Sequence, residues 1–342
     1  MAEEMSMALS PEVLFHRFFQ SRLLSPVDRE KYRGKQDLDR LEPQLRSLLT
    51  NVQYTLNEAL RRRGNVFARG CLSNFHFDYV DADVPNALAF EYEEYAFIAV
   101  TMPLIRVLLH TCNQLSRSAK VTEVLKTVAT EQQREATLAG LFTTQLTFVV
   151  SHEFAHHDRG HRLQWDSATD FWDEILAGVA DGSLEEQARE VEADGWAVYL
   201  VLTNLMAGER REGARLLLGH PGIPDDSVDE ILLSSFIIAV AAFFFVREPA
   251  VCDDCTIYKL THPPQAARMN EVMHNVRNWC KQNRPALEAW MTPTRFQVLM
   301  HAVEDATSGT DNWSQQTAFL LTNPGAEYIR RLEEHVGSRV SS

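Results

Sequence analysis

Cysteine is scarce in this chain and does not pair off: Cys71, Cys112, Cys252, Cys255 and Cys280 are odd in number and scattered. That argues against a disulfide frame and fits thiols kept reduced in a cytosol. Cys252 and Cys255 form a CxxC without a second pair, so the four ligands of a structural zinc are not assembled there. A plain thiol-bearing loop is the expectation. Basic charge is short as well. Lys and Arg number 33 against 47 Asp and Glu, leaving a net charge of −14. This balance speaks against nucleic acid and anionic membrane surfaces as partners, because both attract basic patches. Arg61-Arg62-Arg63 is the exception and reads as a solvated helix end. The N-terminal stretch MAEEMSMALS is acidic and lacks the apolar core of a secretory leader, so a cytoplasmic location is expected. No apolar run reaches the ~20 residues of a bilayer-spanning helix. The longest, Ile231 to Val246, is bounded by Asp229-Glu230 and Arg247-Glu248. It is expected to be a buried core helix opened by a capping box of Ser227 and Glu230, with a membrane span as the weaker alternative. Internal repeats and low-complexity tracts are lacking too.

What is present is an ordinary globular composition: 45% hydrophobic and 23% charged residues. That suffices for a sizeable core in one large domain or two ordinary ones. Ser10-Pro11 opens a first helix with Val13, Leu14, Phe18 and Phe19 at helical spacing. A second helical region spans about Gln36 to Arg63, with Pro43 as a break or a first-turn residue and Gly64 as its end. Phe75, Phe77 and Tyr79 then alternate with His76 and Asp78, the period of a strand. Asn86–Phe90 and Ala96–Thr101 are two more strand candidates. The expectation is a small antiparallel sheet of three or so strands, followed by a helix through Leu109. Further helices are expected after Thr130 (with Gln133), after Ser183 (with Glu186), after Thr261, near Pro293–Glu304 and near Gly325–Val336. The fold class is therefore α+β, predominantly α. A catalytic core over 64–284 would carry a helical extension at 1–63 and a helical tail at 285–342, all in one compact unit.

The stretch around which the chain is organised is Phe142 to His161. It contains His152-Glu153-Phe154-Ala155-His156, an HExxH pattern. Residues four apart lie on one face of a helix, so His152 and His156 project together at a separation suited to one Zn²⁺. Glu153 lies beside that face, where it can take a proton from a water activated by the metal. The segment before it, with Leu146, Phe148, Val149 and Val150, is apolar nearly all round, as in a buried helix. Ionisable groups at the end of such a helix need partners, and a metal is the simplest one.

A catalytic zinc usually has three protein ligands. Candidates for the third are His157, His161, Glu190, Glu192 and Asp194. A third His would be expected ten residues after the first, but that position is Arg162, with His161 one residue off. A Glu on a second helix fits better. Glu190 and Asp194 are four apart on the helix after Ser183. Glu190 can bind the metal while Asp194 accepts the other ring N–H of a ligand His. Glu192 points roughly 200° from Glu190 at the helical period and should face solvent.

Together these residues resemble a peptidase family. HExxHxxxxH (His152, Glu153, His156, His161) followed by ExxAD (Glu190, Ala193, Asp194) is similar to the gluzincin peptidases that include HtpX and the CAAX prenyl endopeptidases. Thr261-His262-Pro263-Pro264 with Arg268 and Met269 resembles that family's late (S/T)HPxxxxR motif. Asn86-Ala87-Leu88-Ala89 and the strand after it resemble the family's NAxA segment. The chain lacks the clear transmembrane pairs of the membrane members, and in this it resembles the soluble bacterial peptidases of the phage-exclusion Lit type. The resemblance implies a zincin-like fold with one zinc per chain on His152, His156 and Glu190. It implies Asp194 behind them and His262 and Arg268 near the active site. The implied activity is metalloendopeptidase cleavage of a protein or peptide substrate, with Glu153 as the base and His262 or Arg268 at the oxyanion. An edge of the sheet at 86–101 could hold the substrate by backbone pairing. The alternatives are a zinc-bearing regulatory or interaction protein with a vestigial site, and a membrane-associated quality-control peptidase.

Overall fold

The computed structural model describes residues 9–67, 74–127, 130–159, 182–208, 211–213, 225–245, 256–307 and 317–340. By internal contacts the chain divides into two units, residues 1–106 with 156–174, and residues 107–155 with 175–342. The fold class is α+β and predominantly α, as its periodicities indicated.

The first unit holds α1 (Pro11–Gln20), α2 (Pro26–Lys31), β1 (Tyr32–Lys35), α3 (Pro43–Phe67), β2 (Asn74–Ala82), β3 (Ala87–Tyr92) and β4 (Tyr95–Thr101). Pro11 and Pro43 occupy first-turn positions, where a missing N–H costs nothing. α3 runs through Gly64 to Phe67, past the expected stop. On α1 the inward face is Leu14, Phe15, Phe18 and Phe19, while Val13 is exposed. Phe18 stacks on Phe90 of β3 at 3.9 Å, and Phe15 meets Phe97 of β4 edge-on at 5.6 Å. Burying each such ring stabilises the unit by about 1.5–3 kcal/mol.

The sheet corrects the expectation of three antiparallel strands. It has four strands in the order β1-β2-β4-β3, and β2 pairs with β4 in parallel. β1–β2 and β3–β4 are antiparallel. The physical reason lies in the link between β2 and β3. Its residue Asn86 donates its backbone N–H to Thr101 Oγ1 (2.8 Å), and the Thr101 hydroxyl donates to the Val84 carbonyl (2.8 Å). The link is thereby fastened to the end of β4, which takes the place beside β2. β3 is left as an edge strand, joined to β4 through Glu93-Glu94, where Glu93 adopts φ 54°.

The helix α4 (Met102–Arg117) follows the sheet, and it runs well beyond Leu109. The second unit contains α5 (Ala119–Val124), most of α6 (Glu131–Asp158), α7 (Leu184–Met206), α8 (Asp225–Phe245) and α9 (Gln265–Asn283). It continues with α10 (Pro285–Trp290), α11 (Pro293–Thr307) and α12 (Asn323–Val340). Thr130 Oγ1 accepts the N–H of Gln133 at the start of α6, and Ser183 and Glu186 form the full capping box of α7. Two expected caps are corrected. Ser227 lies inside α8 rather than before it, and α9 starts after Pro264, without a side-chain cap from Thr261. α8 is long and apolar enough to cross a membrane by length and composition, and 89% of its Ser227–Phe245 stretch is buried within the protein. It packs on α7, α9, α10 and α11. Gln145 of α6 reaches it with a hydrogen bond to the Ala239 carbonyl (2.8 Å) and accepts the thiol hydrogen of Cys112 (3.0 Å). Cys112 and Cys280 are free and buried, while Cys71, Cys252 and Cys255 lie outside the described residues.

Candidate metal centre

α6 carries His152, Glu153 and His156 on its last turns, where the surrounding helix is buried and all three side chains are almost fully enclosed. α7 supplies Glu190 and Asp194, both 0% exposed. One donor atom each from His152, His156 and Glu190 lie within 4.8 Å of one another. His152 Nε2 stands 3.3 Å from Glu190 Oε2, and its Nδ1 stands 2.9 Å from Asp194 Oδ1. A carboxylate only accepts, so Nδ1–H donates to Asp194 and the Nε2 lone pair faces Glu190. Two donors on one tetrahedral ion at 2.0–2.2 Å stand roughly 3.3–3.6 Å apart. The His152–Glu190 spacing already meets that requirement.

Arg268, near the start of α9, is 1% exposed and grips Asp194 with two charge-assisted hydrogen bonds, Nε to Oδ2 (2.7 Å) and Nη2 to Oδ1 (2.8 Å). Its guanidinium lies over the Phe244 ring of α8 at 4.9 Å, with Nη2 3.8 Å from Glu190 Oε2. His262 is buried beside the same carboxylate, Nε2 to Glu190 Oε2 being 3.4 Å, and its Nδ1 lies 3.1 Å from Thr261 Oγ1. Burial alone would raise the Asp194 carboxyl. The charges and hydrogen bonds of Arg268, with those of His152, outweigh it and hold the group below the ordinary carboxylate range.

The donor set fits a divalent cation. Glu153, Glu190 and Asp194 bring three buried carboxylates together with the Arg268 guanidinium. Buried charge is costly inside a protein unless it is partnered. Two imidazoles and a carboxylate are also the ligand types of a catalytic zinc.

Two groups that hold this geometry have no motif of their own. Gln187 of α7 is fully buried and donates to the Ile257 and Leu260 carbonyls (2.9 and 2.8 Å), while accepting the Tyr328 hydroxyl (2.5 Å). It fixes the segment that leads to His262. The clue available in the sequence is position: 187, 190 and 194 share one helix face. Gly182 approaches the same segment so closely that a Cβ would stand 2.4 Å from the Leu260 carbonyl oxygen.

Of the other third-ligand candidates, His157 donates from Nε2 to the Phe97 carbonyl (3.0 Å), with Phe75 edge-on at 5.9 Å. His161 lies outside the described residues. Glu192 corrects the sequence reading: it is 9% exposed rather than facing solvent, because α8, α9 and α12 enclose α7 on more than the metal side.

The sequence model of the peptidase U49 family matches residues 91–287. The chain belongs to that family. The matched span contains the HExxH helix, the Glu190–Asp194 helix and the His262–Arg268 segment, which are the parts that meet in the centre. A U49 peptidase is the Lit-type branch of the resemblance read from the motifs. No curated protein and no solved structure matches the chain.

Proposed function

We propose that this U49 family member is a zinc metalloendopeptidase that cleaves a protein substrate in the cytoplasm. The observation that carries the proposal is the buried triad of His152, His156 and Glu190 with Glu153 next to His152. Zinc held by those three residues would make water acidic enough to ionise near neutral pH and would polarise the scissile carbonyl. Glu153 takes the proton of the attacking water on its carboxylate and passes it to the leaving amine. Asp194 holds the His152 ring in the tautomer that leaves Nε2 free to coordinate. Arg268, committed to Asp194 by two hydrogen bonds, is a positioning residue that acts through that carboxylate. His262, buried beside Glu190, is the side chain assigned to the oxyanion. The likeness of these motifs to those of HtpX and the CAAX prenyl endopeptidases supports the same assignments.

The test is zinc content per chain in the wild type and in Glu190→Ala, purified side by side. The proposal expects about one zinc in the wild type and a clear loss in the variant. It further expects chelator-sensitive cleavage of an unfolded protein such as casein by the wild type. No zinc in either protein after adding it back would end the metallopeptidase reading. Equal zinc in both would remove Glu190 as the third ligand.

A further inference from the structure

The second unit contains a cleft that shares no residue with the metal centre. It opens among α5, α8, α10 and α11, with a volume of about 730 Å³, within the range that takes a drug-sized ligand. Its base is apolar and buried: Ile231 of α8 with Leu299 and Ala302 of α11. At its mouth Val298 leaves an aliphatic side chain 51% exposed.

Two polar groups of the lining are uncommitted. The Trp290 indole N–H is buried without a hydrogen-bond partner among the described residues, a state that a ligand acceptor would relieve. Arg295 lies over the Trp290 ring at 4.7 Å and has no carboxylate partner among the described residues. The other two lining cations are engaged, Lys120 with Asp305 at 2.9 Å and Lys126 with Glu230 at 3.4 Å. The cleft therefore presents an apolar base beside one spare guanidinium.

We propose that this cleft binds the C-terminal end of a short peptide whose last residue is apolar. The carboxylate pairs with Arg295, and the terminal side chain covers Ile231 and Leu299. A peptide suits the lining better than an alkyl chain. Ser234, Thr294, Glu123 and His301 are interspersed among the apolar groups. They can serve amide N–H and C=O groups, whereas a hydrocarbon would desolvate them without return. The proposal does not depend on the metal centre or on catalysis.

The test uses the full chain and the fluorescent peptide dansyl-Gly-Leu-Leu, as the free acid and as the C-terminal amide. Saturable binding of the acid is expected, with the amide weaker by about tenfold or more, the difference made by a hydrogen bond to a charged group. Arg295→Gln should weaken the acid to the level of the amide and leave the amide unchanged. Arg295 is exposed, so zinc content and circular dichroism of the variant should match the wild type. Trp290→Phe keeps an aromatic ring but removes the indole N–H, and should also weaken the acid. Equal binding of acid and amide, indifference to Arg295→Gln, or no saturable binding would each overturn the proposal. So would displacement of the probe by decanoate but not by acetyl-Gly-Leu-Leu, which would assign the cleft to alkyl chains.

Discussion

The hydrogen bond from His152 to Asp194 and the two hydrogen bonds from Arg268 to Asp194 are the contacts on which single substitutions should act most sharply. Asp194→Asn leaves the shape but strips the charge that Arg268 faces. Glu190 remains 3.8 Å from the guanidinium, so the loss stays below the about 3–5 kcal/mol of a buried charge left with no partner, and a weakened partner behind a ligand His costs about 10–100-fold in metal affinity. The expected outcome is a lower urea midpoint together with zinc that is lost to a weaker chelator. Glu153→Gln should behave in the opposite sense, keeping one zinc and full stability while cleavage falls by about 100-fold or more. A variant that still cuts would remove Glu153 as the base. The pH dependence follows from the direction of the Asp194 shift. A carboxyl held below its ordinary value contributes stability that is fully present above its unfolded value near 3.9. That contribution is lost only as pH falls through the lower folded value. The urea midpoint should therefore hold as pH falls toward about 4 and drop only below it, measurable by denaturation on samples stepped in pH. At this scale the motif residues were legible, because spacings of four residues translate directly into one helix face. The partner of Arg268 was not. Nothing in its local sequence says that it reaches Asp194, which lies 74 positions earlier.

At the scale of elements, the sequence located the longer helices and three of the four strands, but not the six-residue helices α2, α5 and α10 nor how the strands pair. Period-two alternation says which face a residue joins and is silent about neighbours. An antiparallel sheet is the expectation from these strands, yet Asn86 and Thr101 tie the link after β2 to β4 and place that strand between β2 and β3. β1 was missed because four residues carry too little pattern. The packing between α7 and the segment before α9 has the same character, since it rests on a glutamine with no chemical motif. Gln187→Leu would leave the Ile257 and Leu260 carbonyls and the Tyr328 hydroxyl buried without their partner. At about 1–3 kcal/mol for each unsatisfied group, the variant should lose several kcal/mol in chemical denaturation. Its zinc affinity should drop less than that of Asp194→Asn, because the bond from His152 to Asp194 is untouched. Gly182→Ala should disturb the same segment through its backbone clash. A Gln187→Leu protein with wild-type stability would show that this clamp is idle.

For the whole molecule, the metal centre draws on places far apart in the chain: the end of α6, the middle of α7, and the segment and first turn of α9. The carboxylates of Glu153, Glu190 and Asp194 are buried, and a zinc bound only by the folded chain is also a folding ligand. Binding that favours the folded state stabilises it by about 2.7 kcal/mol when free metal stands at a hundred times its dissociation constant. For a chain of this size each kcal/mol moves the melting temperature by roughly 2–4 °C. Stripping the metal with a chelator should thus lower the melting temperature by about 5–10 °C, and zinc, but not magnesium, should restore it. The discrimination follows from the donors, since imidazole nitrogens suit zinc and leave magnesium short of the oxygen ligands it requires. The Glu190→Ala protein should show a melting temperature that no longer responds to zinc. A wild type that melts identically with and without chelator would mean that no metal supports the buried carboxylates. The centre would then be a packed polar cluster on a peptidase scaffold.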